Sequence, residues 1–183
     1  MRELSLNILD IVQNSISAGA NLIEVDLDED FNSNITVIKI TDNGRGMTKD
    51  QIDSVTNPFY TTRKTRKVGL GIPFFKMAAE VTGGNFKIES SLGSGTTITA
   101  KFINSNIDMT PVGDINSTIS ILIKCSSNLD FVFKRTINGN SFTMDTREIR
   151  NILGSDIPLN NPDVSTWIND FLKENSDNIL NKT

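Results

Sequence analysis

Ile35-Thr36-Val37-Ile38-Lys39-Ile40-Thr41-Asp42-Asn43-Gly44-Arg45-Gly46-Met47 passes from a run of alternating apolar residues directly into turn chemistry. Residues 35–41 predict a strand that delivers Asp42-Asn43-Gly44 at its end. Upstream, Ile23, Val25 and Leu27 alternate with Glu24, Asp26 and Asp28, the pattern of a half-buried strand, and the polar stretch 30–34 predicts the loop of a hairpin. Before it, residues 4–18 predict a helix, with Leu4, Ile8, Ile11, Val12 and Ser15 near one face and Leu6, Leu9 and Ile16 widening it. Gly19 is expected to end this helix. Asp10 and Asn14 are four residues apart, so they stand one turn above the other and can address one ligand.

On the C-terminal side, Thr48 is expected to cap a short helix running to about Val55. Residues 56–68 follow, with Pro58 and a dense basic run. A further helix opens after Gly71, with Pro73 in its first turn, where the missing N–H costs nothing. Phe74, Met77, Ala78 and Val81 are its expected apolar stripe, and Gly83-Gly84 its stop. Residues 86–90 and 97–103 predict strands joined by a glycine loop, 92–95. The sum is an α+β fold, a two-layer sandwich of an antiparallel or mixed sheet with helices on one face.

Four elements recur through this stretch in fixed order: Asp10-Ile11-Val12-Gln13-Asn14, Asp42-Asn43-Gly44-Arg45-Gly46-Met47, Gly69-Leu70-Gly71-Ile72 and Gly93-Ser94-Gly95-Thr96-Thr97. In this order the chain resembles the GHKL superfamily of DNA gyrase, heat-shock chaperone ATPases, histidine kinases and mismatch-repair ATPases, over roughly residues 1–104. The resemblance implies the Bergerat fold, with ATP in a pocket walled by one helix and closed by a glycine-hinged lid. It also implies ATP and Mg²⁺ as cofactors. Asn14 then supplies a hard amide oxygen to Mg²⁺, which bridges to the triphosphate. Asp42, at a strand end, accepts the exocyclic N–H of adenine. Gly44 and Gly46 let the backbone pass close to the base beside Met47, although Asp-Asn-Gly is also ordinary Asx-turn chemistry. Gly69, Leu70 and Gly71 act as hinge and offer N–H groups at a helix N-terminus, where phosphate is favoured. Arg63, Lys64, Arg66 and Lys67 put four cations in five residues, and Arg63, Lys64 and Lys67 are candidates for the β- and γ-phosphates. Residues 57–62, Asn-Pro-Phe-Tyr-Thr-Thr, look like the aromatic box of histidine kinases. Thr96, with Thr97 adjacent, is the candidate for the adenine edge.

Two positions depart from the family pattern. Asp10 stands where gyrase-like members carry a glutamate that positions the attacking water, and its reach is shorter by about 1 Å. Ser17 replaces a charged side chain. Binding is therefore better supported than hydrolysis, with Asp10 the candidate base.

Residues 105–183 read as a small α+β C-terminal unit of unknown role. Ile119, Ile121 and Ile123 alternate like a strand. Phe131 and Phe133 begin a hairpin that turns at Asn138-Gly139. Asp145 and Glu148 predict a capped helix ending at Gly154, and Asn161-Pro162 opens a last helix with Val164, Trp167, Ile168, Phe171 and Leu172 on one face and a polar tail after Asn175. Trp167 and Phe171 are expected in its core.

The 183 residues carry a net charge of −4, which argues against a nucleic-acid surface. No apolar run approaches the roughly 20 residues a bilayer requires, and Met1-Arg2-Glu3 opens without a signal-peptide core. The lone Cys125, beside Ile121, Leu122 and Ile123, predicts a buried structural thiol and a reducing cytoplasm. There is no histidine, which excludes a histidine base, ligand or phosphoacceptor within these residues. Three readings follow. The first is a regulatory kinase or ATP-dependent switch acting on a partner protein, similar to anti-sigma kinases or a histidine kinase's catalytic domain. The second is a nucleotide-sensing adaptor. The third is a mismatch-repair or gyrase-like ATPase, for which ligand-driven dimerisation is the mark.

Overall fold

The computed structural model describes residues 3–56, 70–154 and 157–182. The aromatic box at 57–62, the cations Arg63, Lys64, Arg66 and Lys67, and Gly69 lie outside them. The element order is α1 (Leu4–Ser17), β1 (Leu22–Asp30), β2 (Ile35–Asp42), α2 (Lys49–Thr56), α3 (Gly71–Val81), β3 (Asn85–Ser90), β4 (Thr96–Ile103), α4 (Ile115–Cys125), β5 (Asp130–Ile137), β6 (Asn140–Asp145), α5 (Thr146–Leu153) and α6 (Pro162–Leu180). The strands form one six-stranded sheet in the order β3-β4-β2-β1-β5-β6. Every neighbouring pair is antiparallel except β1 and β5, so the sheet is mixed. The boundary expected at 104/105 falls just after β4, and the sheet runs across it, because β5 pairs with β1 from Leu22↔Asp130 to Glu29↔Ile137.

Alternation along the strands sorts the two faces. Ile23, Val25, Leu27, Ile38, Ile40, Ile98, Ala100, Phe102, Phe131 and Phe133 are buried beneath the helices, which pack on one another and on the sheet. Glu24, Asp28, Lys39, Lys87, Glu89 and Lys134 are exposed on the other side. At the sheet end opposite Asp42, Glu29 turns inward and is held by Arg135 at 2.9 Å, with both side chains largely buried. None of the described helices is long and apolar enough to cross a membrane.

Local signals explain most element ends. Thr48 and Gln51 cap α2 reciprocally, Gln51 N donating to Thr48 Oγ1 and Thr48 N to Gln51 Oε1. Asn138 and Gly139 both have positive φ, the geometry of a type I′ hairpin.

Several expectations change. Residues 115–125 form helix α4, not a strand: Ile115, Ile119, Leu122 and Ile123 are buried at helical spacing, while Ile121 is exposed. Asp114 caps this helix by accepting Ser117 N at 3.0 Å. In α3 the buried side is Ile72, Phe75 and Ala79, whereas Phe74, Met77 and Val81 are exposed. Cys125, at the last turn of α4, is exposed rather than buried. Trp167 is 50% exposed and stacks on Phe171 at 5.2 Å, so it caps the core rather than filling it. The polar tail is helical: α6 continues to Leu180 and buries Ser176 and Ile179.

Candidate functional site

A cavity of about 330 Å³ opens between α1, α2, the start of α3 and the ends of β2 and β4. Its size lies at the small end of the roughly 300–1,000 Å³ usual for ligand pockets. Asn14, Asp42, Gly46, Met47 and Thr96 all line it, together with Ile11, Val55, Ile72 and Ile98, which make apolar walls. The helix α1 contributes Ile11, Asn14 and Ser15 through its 3.6-residue period, its C-cap Ala18 follows, and α3 contributes Ile72 from its first turn.

Asp42 is the last residue of β2 and only 6% exposed. Its Oδ1 accepts the Gly44 N–H at 2.9 Å, closing the Asx turn, and its Oδ2 accepts the Ser15 hydroxyl at 2.6 Å. A carboxylate has about four lone-pair sites, so acceptor capacity remains for a ligand. Turn and site are therefore the same construction. Asn43 takes no part in the cavity: its Oδ1 accepts Asn21 N and Leu22 N, tying the turn to the start of β1.

Two glycines permit the close packing that shapes the floor. Gly46 has φ +66 and a Cβ there would strike the Ser91 carbonyl, while Gly95 has φ +82 and a Cβ there would strike the Asp42 carbonyl. Any L side chain at either position would push the glycine loop off the strand end. Met47 N donates to Ser90 Oγ at 2.8 Å, and Ser90 also contacts Thr96 Oγ1 at 2.9 Å.

Asn14 is exposed at the cavity, and its side-chain amide has no hydrogen bond among the described residues. Asp10, one turn earlier, is outside the cavity lining and packs against the first residue of α3: a Cβ built on Gly71 would lie 2.7 Å from Asp10 Cβ. The carboxylate thus sits at a helix N-terminus, where negative charge is favoured. Gly44 packs on Ala18 behind the cavity, and Leu70 is exposed just before α3. Thr97 is not brought to the site. It pairs with Thr41, one residue out of phase with Asp42, and the two hydroxyls meet at 3.3 Å on the opposite face of the sheet.

Ser15, Arg45, Gln51 and Ser54 also line the cavity and Ser90 bonds to residues that do, none of them singled out as a site residue from the sequence. Ser15 follows Asn14 directly and was legible as a helix neighbour. Ser90 was not, because it joins the site through its register pairing with Thr96 and the bond it accepts from Met47 N.

The model of one family, described as histidine kinase-, DNA gyrase B-, and HSP90-like ATPase, matches residues 2–105. Sporulation kinase B of Bacillus subtilis (strain 168) is 33% identical over 102 residues, 54% of this chain and 23% of that protein. Sensor histidine kinase ZraS of Escherichia coli (strain K12) is 37% identical over 62 residues, 34% of this chain and 13% of that one. The chain thus spans less than a quarter of the length of these relatives. In structure it is similar to the N-terminal domain of a DNA repair protein, with TM-score 0.57 at 14% identity over 85% of this chain and 58% of that one. It is also similar to the Aquifex aeolicus MutL ATPase domain complexed with ADP, with TM-score 0.50 at 13% identity over 84% and 69% of the two chains. These structural likenesses, at such low identity, speak for the fold. With a family match over more than half of its length on this framework of strands and helices, the chain belongs to the histidine kinase-, DNA gyrase B- and HSP90-like ATPase family.

Proposed function

We propose that this protein binds Mg–ATP in the Asp42 cavity and works as a regulatory kinase or ATP-dependent switch on a partner protein. One observation carries the nucleotide part: a buried carboxylate, braced by Ser15 and Gly44, shares a cavity with the unengaged amide of Asn14. The carboxylate suits the adenine 6-amino group, and the apolar walls suit the faces of the base. The N-terminus of α3, starting at Gly71, suits phosphate oxygens. Among the described residues no three acidic or thiol side chains gather as a metal cage. Asn14 is proposed to give one amide oxygen to Mg²⁺, an ion that keeps several waters and takes phosphate oxygens beside few protein ligands.

Similarity to sporulation kinase B and ZraS favours the kinase branch for the second part. None of the 183 residues is histidine, so a phosphoryl group transferred to a histidine goes to one outside them. Asp10 is proposed to orient that acceptor or a water. The proposed compartment is the cytoplasm, where ATP is supplied and an exposed Cys125 stays reduced.

The test is calorimetric titration with Mg–ATP, followed by incubation with γ-labelled ATP and co-purified protein. Asn14→Ala is expected to remove the magnesium-dependent part of the affinity while leaving the circular dichroism spectrum unchanged. Equal affinity of parent and variant would refute the metal role. Binding with no label on any protein would favour a switch without transfer, and dimerisation with a non-hydrolysable analogue would favour the gyrase-like alternative.

A further inference from the structure

We propose that Ser90, which does not line the cavity, sets the base preference of the site by fixing which way the Thr96 hydroxyl points; this rests on the nucleotide reading above. Ser90 ends β3 and is the register partner of Thr96 on β4. Its Oγ lies 2.8 Å from the Gly95 carbonyl, 2.8 Å from Met47 N and 2.9 Å from Thr96 Oγ1. The Gly95 carbonyl only accepts, so the single Ser90 proton goes there. The Met47 N–H and the Thr96 O–H then take the two lone pairs of the Ser90 oxygen, which is fully used. The reverse assignment would set two oxygens 2.8 Å apart with no proton between them.

Thr96, whose own proton is spent on Ser90, offers the cavity lone pairs only. The Ser15 proton is spent as well. It has Asp42 Oδ2 at 2.6 Å and the Ile11 carbonyl at 3.4 Å, and the short charge-assisted contact takes it. Asp42 and Thr96 are direct partners across β2 and β4. The side chains at the buried end of the cavity therefore present acceptors and no free hydroxyl donor.

Such an end selects at the purine 6-position. An amino group brings two protons to two acceptors, whereas the oxo form turns lone pairs toward them at the 6-position and offers only the single N1 proton in return. Without Ser90 the Thr96 hydroxyl is free to turn and donate to a 6-oxo group. Ser90 is a positioning residue acting through Thr96.

The experiment compares Mg–ATP with Mg–inosine triphosphate, which differ in the 6-substituent and the N1 proton that accompanies it, by calorimetry on the full chain. The parent is expected to prefer ATP. Ser90→Ala is expected to narrow that preference about tenfold, the worth of one hydrogen bond, mainly by tighter inosine triphosphate binding. In a Thr96→Val background the same substitution leaves the ratio unmoved, since no hydroxyl remains to be released. An unchanged ratio in Ser90→Ala, or equal loss of both nucleotides as a merely structural role predicts, overturns the proposal. Should Ser90→Ala fail to fold, Thr96→Val alone decides: ATP affinity falls while inosine triphosphate affinity does not, and parallel falls overturn the idea. A parent that binds neither nucleotide sinks the nucleotide reading itself; one that binds both equally sinks this inference alone.

Discussion

Asp42 serves the turn with one oxygen and the helix α1 with the other, so its carboxylate has almost no rotational freedom. That rigidity is the physical basis for selectivity, because a buried polar group left without a partner costs about 1–3 kcal/mol. Asp42→Asn replaces one acceptor oxygen with a donor at nearly constant shape. Ser15 can accommodate the change by turning its hydroxyl toward the Ile11 carbonyl, so the fold is expected to survive. The preference for ATP over GTP is expected to fall about tenfold or more, since the amide N–H now suits a 6-oxo group. Competition binding measures this. A variant that prefers ATP as strongly as the parent removes Asp42 from base recognition.

Helix α4 shows how an element's type is decided by its cap as much as by its apolar pattern. Ile119, Ile121 and Ile123 stand at every second position as in a strand, yet Asp114 accepts the Ser117 N–H and starts a helix. That backbone bond, with the Ser117 hydroxyl next, holds the Asp114 carboxyl below its ordinary value. A folded pKa that is lowered means stability present above the unfolded value, about 3.9, and lost as pH falls through the folded one. Asp114→Ala is therefore expected to cost about 1 kcal/mol at neutral pH. The penalty should shrink as the solution is acidified below the ordinary aspartate range, where the parent loses the same bond. Urea unfolding of both proteins at neutral and acid pH tests this, and a pH-independent penalty would remove the cap. Ile72, Phe75 and Ala79 and the stripe Phe74, Met77 and Val81 are two apolar faces of helix α3, and only docking against α1 and β4 chooses between them.

Across the whole molecule, β1 is the strand on which both halves depend. It carries β2 antiparallel on one side and β5 parallel on the other, and the return to β5 runs through α4. Residues on both sides of 105 share one buried core, from Leu4 and Ile23 to Phe131, Phe133 and Leu172. We predict one cooperative unfolding transition. Far-ultraviolet circular dichroism reports the entire chain, while the single tryptophan, Trp167 on α6, reports the C-terminal part. Coincident urea curves are expected. An earlier fluorescence transition would mean that residues 105–183 open as a separate unit.

The motifs by which the chain resembles its family named Asn14, Asp42, Gly46, Met47 and Thr96, and these five residues meet in one cavity. The α+β class and the ends of α1, α2 and the β5–β6 hairpin were legible because caps, turns and alternation act over a few residues. Tertiary structure alone decided the rest. Thr96 rather than Thr97 faces the cavity, and Ser90 enters the network, because strand register sets them opposite Asp42 and each other. The inward face of α3, the exposure of Cys125 and the joining of β5 to β1 likewise come from contacts between residues far apart in sequence, which no local pattern encodes.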